Sequence, residues 1–282
     1  MDDRLVLLGT KGGPAIRRGG PNPTSSLLMM DGRICVVDCG LGVTRGLVEA
    51  GVALNALDLI FVTHLHSDHV LELGALIHTA WTSGLATPVT VFGPVGTAAL
   101  WEGFRTSLAY DIGIRVEDEG RPPLTDLVTI REFGEGPLDT DGPCVAALRV
   151  EHPPVTECYA LRFDGAEWSV TFSADTAPFP PLADFAAGSD VLVHEAMLAE
   201  GMDRLVARTG NAARLKAHLT ASHTEAADAA RLAARAGVGR LVLHHLVPAD
   251  DPEIDEAHWV AATESHFDGE VIVGRDGLEI RP

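Results

Sequence analysis

Four side chains able to hold a metal ion fall within one short stretch, His64-Leu65-His66-Ser67-Asp68-His69. A zinc-type ion takes three or four nitrogen, oxygen or sulfur donors at about 2.0–2.2 Å. Two such ions, about 3.5–4 Å apart, need roughly twice as many donors and a group that bridges them. Side chains two apart on an extended chain face the same way, so His64 and His66 can grip one ion. Asp68 and His69, where the chain turns towards a helix, can reach a second. A polar turn that only caps the next helix has no need of so many ligand-type groups. Paired dications bring the pKa of a shared water down towards about 7 and polarise the bond under attack, so the chemistry expected here is hydrolysis.

The elements that must hold this stretch read out of the flanking pattern. Residues 57–63 form a continuous apolar run, as in a strand covered on both faces, and the run ends directly before His64. Further strands are expected at 6–8, 25–30 and 33–37, with Asp31-Gly32 as a hairpin turn between the last two. More follow at 89–92, 128–133, 145–151, 158–163, 169–173, 191–194, 240–243 and 271–273. Helical periodicity covers 43–49, 71–81, 95–108, 224–236 and 253–267. A weak echo links two of these units. Ala50-Gly51-Val52 leads into the strand before His64, and Ala236-Gly237-Val238 leads into one ending His244-His245-Leu246. Each brings a histidine to the carboxyl end of a buried strand, where open α/β sheets build their sites.

HxHxDH is the signature of the metallo-β-lactamase fold, and the chain resembles that superfamily well beyond the motif. Gly9-Thr10-Lys11-Gly12-Gly13-Pro14, Val37-Asp38-Cys39-Gly40, Phe172-Ser173-Ala174-Asp175-Thr176 and Val193-His194-Glu195-Ala196 look like its ribonuclease Z and arylsulfatase-like branch. Ser222-His223-Thr224 and Leu243-His244-His245-Leu246 complete the set. The resemblance implies an α/β fold, a four-layer αββα sandwich with two mixed sheets, formed by residues 1–282 as one domain. It also implies the remaining metal ligands. His152 would join His64 and His66, His245 would join Asp68 and His69, and Asp175 would bridge the two ions. Ala174 stands where the family often has glycine. His244 competes with His245, but neighbours on a strand face opposite ways and the family's ligand directly precedes the hydrophobic residue. Zinc is the expected metal, as two divalent ions, with manganese or iron as alternatives. Asp68 could orient the attacking hydroxide, and His223 with Glu195 occupies the position of a proton-donating pair. An imidazole near neutral pKa, oriented by a carboxylate, suits that role.

Composition narrows the substrate and the setting. There are 21 Lys+Arg against 40 Asp+Glu, a formal net charge of −19, and Lys11 and Lys216 are the only lysines. Phosphate backbones are bound by clustered Lys and Arg, so this balance disfavours nucleic acid and anionic membranes as partners. The tRNA-processing members carry a long arm between the positions of His152 and Asp175, and here that interval holds only two strands and a tight turn. The expectation is therefore a small or medium ester as substrate: a phosphodiester, sulfate ester, lactone or aryl ester. The alternatives are a tRNA 3′-processing endonuclease of ribonuclease Z type or an iron-dependent oxidoreductase of the same fold. Residues 103–142 and 177–220 are the expected pocket walls. No run approaches the roughly 18 apolar residues of a membrane span, and the acidic start does not resemble a signal peptide, so a cytoplasmic protein is expected. Four cysteines without a CxxC pair fit reduced thiols. A homodimer is implied by resemblance alone.

Overall fold

The computed structural model describes residues 2–208 and 212–282. Its first strands are β1 (Arg4–Gly9), β2 (Ser25–Met30), β3 (Arg33–Val37), β4 (Leu59–Phe61), β5 (Val89–Gly93) and β6 (Val128–Glu132). There follow β7 (Gly136–Leu138), β8 (Cys144–Arg149), β9 (Tyr159–Asp164), β10 (Ser169–Phe172), β11 (Val191–Met197), β12 (Arg240–Val247), β13 (Glu270–Val273) and β14 (Glu279–Ile280). They make two seven-stranded sheets, ordered β14-β1-β2-β3-β4-β5-β6 and β13-β12-β11-β10-β9-β8-β7. Both sheets are mixed. The pairs from β3 to β6 are parallel, as are those from β10 to β13, while β14-β1-β2-β3 and β7-β8-β9-β10 are antiparallel.

Strands buried on both faces need cover on both sides, and β1 shows how it is supplied. Leu5 and Leu7 face the other sheet, in a core with Leu28, Phe61, Phe163 and Val193. Val6 and Leu8 face helices, in a second core with Leu27, Val36, Ile60 and Trp81. Phe61 stacks on Phe92 at 5.0 Å and meets Phe163 edge-on at 5.0 Å, which ties the two sheets together.

The helices are α1 (Val43–Glu49), α2 (Ser67–Val70), α3 (Leu73–Thr82), α4 (Thr97–Ser107), α5 (Ala109–Glu119) and α6 (Leu124–Leu127) along the first sheet's half of the chain. The second half contributes α7 (Pro181–Phe185), α8 (Met202–Ala207), α9 (Ala212–Ser222), α10 (Ala226–Ala236) and α11 (Glu256–Thr263). On α10, Ala226, Ala229, Ala230 and Ala233 are fully buried at helical spacing, a smooth stripe that lets the helix lie close on β11. The layers run helix, sheet, sheet, helix, the αββα sandwich. Among the described residues, no helix is long and apolar enough to cross a membrane.

β11 and β12 run three and four residues beyond the expected 191–194 and 240–243. His194 ends the expected range and Glu195, His244 and His245 lie in the extensions, polar residues that read as strand ends yet are buried. The parallel strands β4, β10, β11 and β12 end at one rim, and the chemistry collects there.

Candidate metal centre

The six-residue stretch bends directly after β4. His64 precedes the turn, His66 caps α2 in extended conformation, and Asp68 and His69 lie in the first turn of α2. Ligand atoms of His64, His66, His152 and Asp175 all lie within 4.8 Å of one another, and so do those of Asp68, His69, Asp175 and His245. Asp175 belongs to both groups. Its Oδ2 is 3.8 Å from His64 Nε2, 3.8 Å from His152 Nε2 and 3.1 Å from His245 Nε2, while its Oδ1 is 3.4 Å from His69 Nε2.

Hydrogen bonds at the far side of each ring decide which nitrogen is free. Thr63 Oγ1 donates to the Asp38 carboxylate, so it accepts from His64 Nδ1 at 3.1 Å and leaves the lone pair on Nε2. His69 Nδ1 donates to Asp38 Oδ2 at 2.8 Å, which leaves its Nε2 facing Asp175. His152 Nδ1 donates to the Ser222 carbonyl at 2.9 Å, and its Nε2 sits 3.1 Å from His66 Nδ1. Asp38 thus orients two rings, one directly and one through Thr63. It lies in a stretch that marked the family resemblance, but its role depends on a partner 31 positions away and cannot be read from spacing. The Nε2 atoms of His64 and His69 are buried without a hydrogen-bond partner. Orphaned imidazole nitrogens aimed at a shared carboxylate fit a cation of zinc type, whose preferred donors are these.

The field of the two carboxylates is strong. Burial works to lower the pKa of His69 and His245, yet Asp175, aided by Asp68, outweighs it and lifts both, His245 to about 10. Burial pushes Asp175 and Asp68 up, and the facing histidines more than reverse it, so both carboxyls sit well below the usual range. A site that attracts positive charge this strongly is suited to divalent ions.

Strand alternation alone does not explain how His245 reaches the site. Opposite β12, Glu195 pairs with His244 and Ala196 with Leu246, so His245 is the extra residue of a β-bulge, with φ 43°. Bulges re-aim side chains at such rims. Ala174 carries φ 56°, the left-handed conformation that explains why glycine is favoured before the bridging aspartate. Behind His245, the loop after β1 closes the rim. Gly12 donates to the Leu246 carbonyl, and Gly13 donates to Asp68 Oδ2 at 2.7 Å.

Beside the metal-type cluster, His223 Nδ1 lies 3.1 and 3.0 Å from the two Glu195 oxygens, and Glu195 Oε1 also accepts from Thr176 N at 2.7 Å. With the carboxylate so occupied, Glu195 serves to orient His223. Burial lowers the His223 pKa, but Glu195 more than compensates and the net shift is upward. Its free Nε2 is the ring edge on the cleft, a volume of about 370 Å³ lined by Lys11, Arg17, His66, Leu215, His218 and His223, among others. Leu205, Leu215 and Leu219 supply its apolar wall, within the expected 177–220. Residues 103–142 do not line it. α4 instead packs by α3 and borders a separate groove with Leu65 and Leu71, because Trp101 and Phe104 find their cover there. Cys35, Cys39 and Cys158 are buried free thiols and Cys144 is an exposed one.

Over residues 4–215 the chain matches the family model described as anti-Pycsar protein Apyc1. It is 33% identical to a ribonuclease Z of Mycobacterium bovis (strain BCG / Pasteur 1173P2) over 285 aligned positions, 99% of this chain and 98% of the relative. The chain belongs to the family of Apyc1, in the ribonuclease Z branch of the metallo-β-lactamase-fold hydrolases. Solved structures agree on the fold. The metallo-β-lactamase fold protein YhfI from Bacillus subtilis superposes with a TM-score of 0.74 at 21% identity, covering 99% of both chains. Human tRNase Z, short form, does so with 0.67 at 18% identity, covering 98% of both. The protein is a metal-dependent hydrolase of ester bonds.

These likenesses overturn the expectation of a small-molecule substrate with nucleic acid disfavoured, since relatives matched end to end are ribonucleases. The short interval between His152 and Asp175 does not set the chain apart, because 285 aligned positions against a 282-residue chain leave no space for an inserted arm. Net charge misled for a physical reason. It sums the whole surface, whereas substrate responds to the local field, and Lys11 and Arg17 gather on the cleft.

Proposed function

We propose that the protein is a ribonuclease of ribonuclease Z type, hydrolysing a phosphodiester bond of precursor tRNA with two zinc ions. The observation that carries this reading is the pair of donor groups sharing Asp175, side by side with the His223–Glu195 pair on one cleft. His64, His66 and His152 would hold one ion and Asp68, His69 and His245 the other, with Asp175 common to both. Bound there, the ions supply an acidified water and positive charge for the phosphoryl oxygens.

The protein's own groups do the rest. Gly13 N–H and His245 hold Asp68, and Asp38 sets the tautomers of His64 and His69. Glu195 fixes Nδ1–H of His223, so a proton on Nε2 is presented to the cleft and can pass to the leaving ester oxygen. The leaving oxygen of a ribose is a poor leaving group without that proton.

Metal analysis of the purified protein beside a precursor-tRNA cleavage assay tests the reading. Two zinc per chain are expected, with cleavage lost on chelation and restored by zinc. One iron per chain with oxygen consumption and no cleavage overturns it.

A further inference from the structure

His218 takes no part in the centre described above, yet it stands on the cleft wall among its lining residues. Its ring centroid is 6.3 Å from that of His152 and 6.2 Å from that of His223. Ser222 follows it by four residues on α9, so the two share a helix face, and His218 Nδ1 lies 3.3 Å from Ser222 Oγ. The Ser222 hydroxyl has one proton, and it goes to the Pro153 carbonyl at 2.6 Å. The hydroxyl therefore accepts from His218 Nδ1–H, and this relay places the neutral ring's lone pair on Nε2. Nε2 is the ring edge turned away from Ser222.

A lone pair cannot bind a phosphate oxygen, which is also an acceptor. It calls for a hydroxyl or amino donor. In RNA the donor nearest the scissile bond is the ribose 2′-hydroxyl, on the carbon next to the one bearing the 3′ ester oxygen, and DNA lacks it. Leu215 and Leu219, on the same helix, offer an apolar surface on which a sugar or base can lie. Resting on the ribonuclease reading, we infer that His218 reads a ribose 2′-hydroxyl beside the cleaved phosphodiester and so discriminates RNA from DNA at that sugar. Burial and the neighbouring His223 lower its pKa.

The test uses precursor-tRNA transcripts carrying a single 2′-deoxy or 2′-fluoro sugar on either side of the cleaved bond. One neutral hydrogen bond is worth about tenfold, so the wild type should cut the substituted transcript at one of the two sugars about tenfold more slowly in kcat/KM. His218→Phe should slow the all-ribose transcript by the same factor, leave the substituted one unchanged and retain its metal. Ser222→Ala, which frees the ring but keeps the carbonyl that orients His152, should lose part of the discrimination in the same direction. It decides the matter if His218→Phe loses its metal. Equal slowing of both transcripts by the variants, no discrimination by the wild type, or discrimination that follows the base instead of the sugar overturns the proposal alone. Turnover of bis(p-nitrophenyl) phosphate with no transcript cleaved overturns the ribonuclease reading beneath it.

Discussion

At the residue scale, the centre depends as much on what stands behind the histidines as on the histidines themselves. Four of the seven metal-type side chains that gather there are expected from HxHxDH itself, because ligand types at a strand end carry their own signal, and His152, Asp175 and His245 only from the family resemblance. Asp38 is expected from neither, although it fixes Nδ1 of His69 directly and Nδ1 of His64 through Thr63. Asp38→Asn should therefore cost about 10–100-fold in metal affinity, read by competition with a chelator, with circular dichroism unchanged. Unchanged affinity would mean that the rings hold their tautomers without it. His223 poses a different question, since it touches the cleft. On the ribonuclease reading, His223→Ala should leave metal content unchanged and slow precursor-tRNA cleavage by about 10²–10⁴. An aryl phosphodiester with a good leaving group should lose far less, because it needs no proton. Equal losses on both substrates would remove the proton-donor role.

Elements place those residues, and here the sequence speaks less clearly. The strands before His64 and at 25–30 and 33–37 are legible because apolar runs with a turn between them have few other solutions. β11 and β12 are under-read because buried polar residues, His194-Glu195 and His244-His245, interrupt their apolar runs before the strands end. α9 is missed because Leu215 and Leu219, though one turn apart, are its only large apolar residues among charged and small ones, and its worth lies in what it presents to the cleft. The bulge at His245 has no sequence signal at all: alternation says only that one of the two histidines faces the rim, and it is the bulge that turns His245 towards Asp68 and Asp175. What holds the bulged ring in place is the tight approach of the loop after β1. A Cβ on Gly12 would lie 2.8 and 2.9 Å from His245 Cε1 and Nδ1 and would also collide with Val247. On the proposed two-zinc reading, Gly12→Ala should thus displace His245 and lower bound zinc from two equivalents towards one, measured by metal analysis after gel filtration. Retention of both would show that the loop yields instead.

For the whole molecule, acid stability and charge can both be argued from position. His194 is fully buried on β11, its Nδ1 bonded to the Glu195 carbonyl, and burial lowers its pKa to about 4. The unfolded chain regains an ordinary value of about 6.5. Between these values the unfolded state binds the extra proton, so the stability His194 contributes is present above about pH 6.5 and is lost as pH falls towards 4. The loss between pH 7 and pH 5 is about 2 kcal/mol. In urea unfolding, His194→Gln should narrow the pH 7 to pH 5 difference by that amount, and an unaltered difference would place the acid sensitivity elsewhere.

The same separation of local from total governs RNA. Where a polyanion is held depends on the local field and not on the total of −19, and on the cleft the basic lining residues are Lys11 and Arg17. Each neutralised phosphate on a single strand adds about 0.7 to the slope of log affinity against log salt. Two contacts predict a slope of about −1.4, far shallower than a basic RNA-binding surface shows. Lys11→Met should flatten it by about 0.7 while leaving metal content intact. A wild-type slope steeper than about −4, measured as KM for precursor tRNA from low to moderate salt, would mean that the RNA is held along a surface away from the metal-type cluster. The cleft would then be the place of cleavage only, and recognition would belong to another part of the molecule.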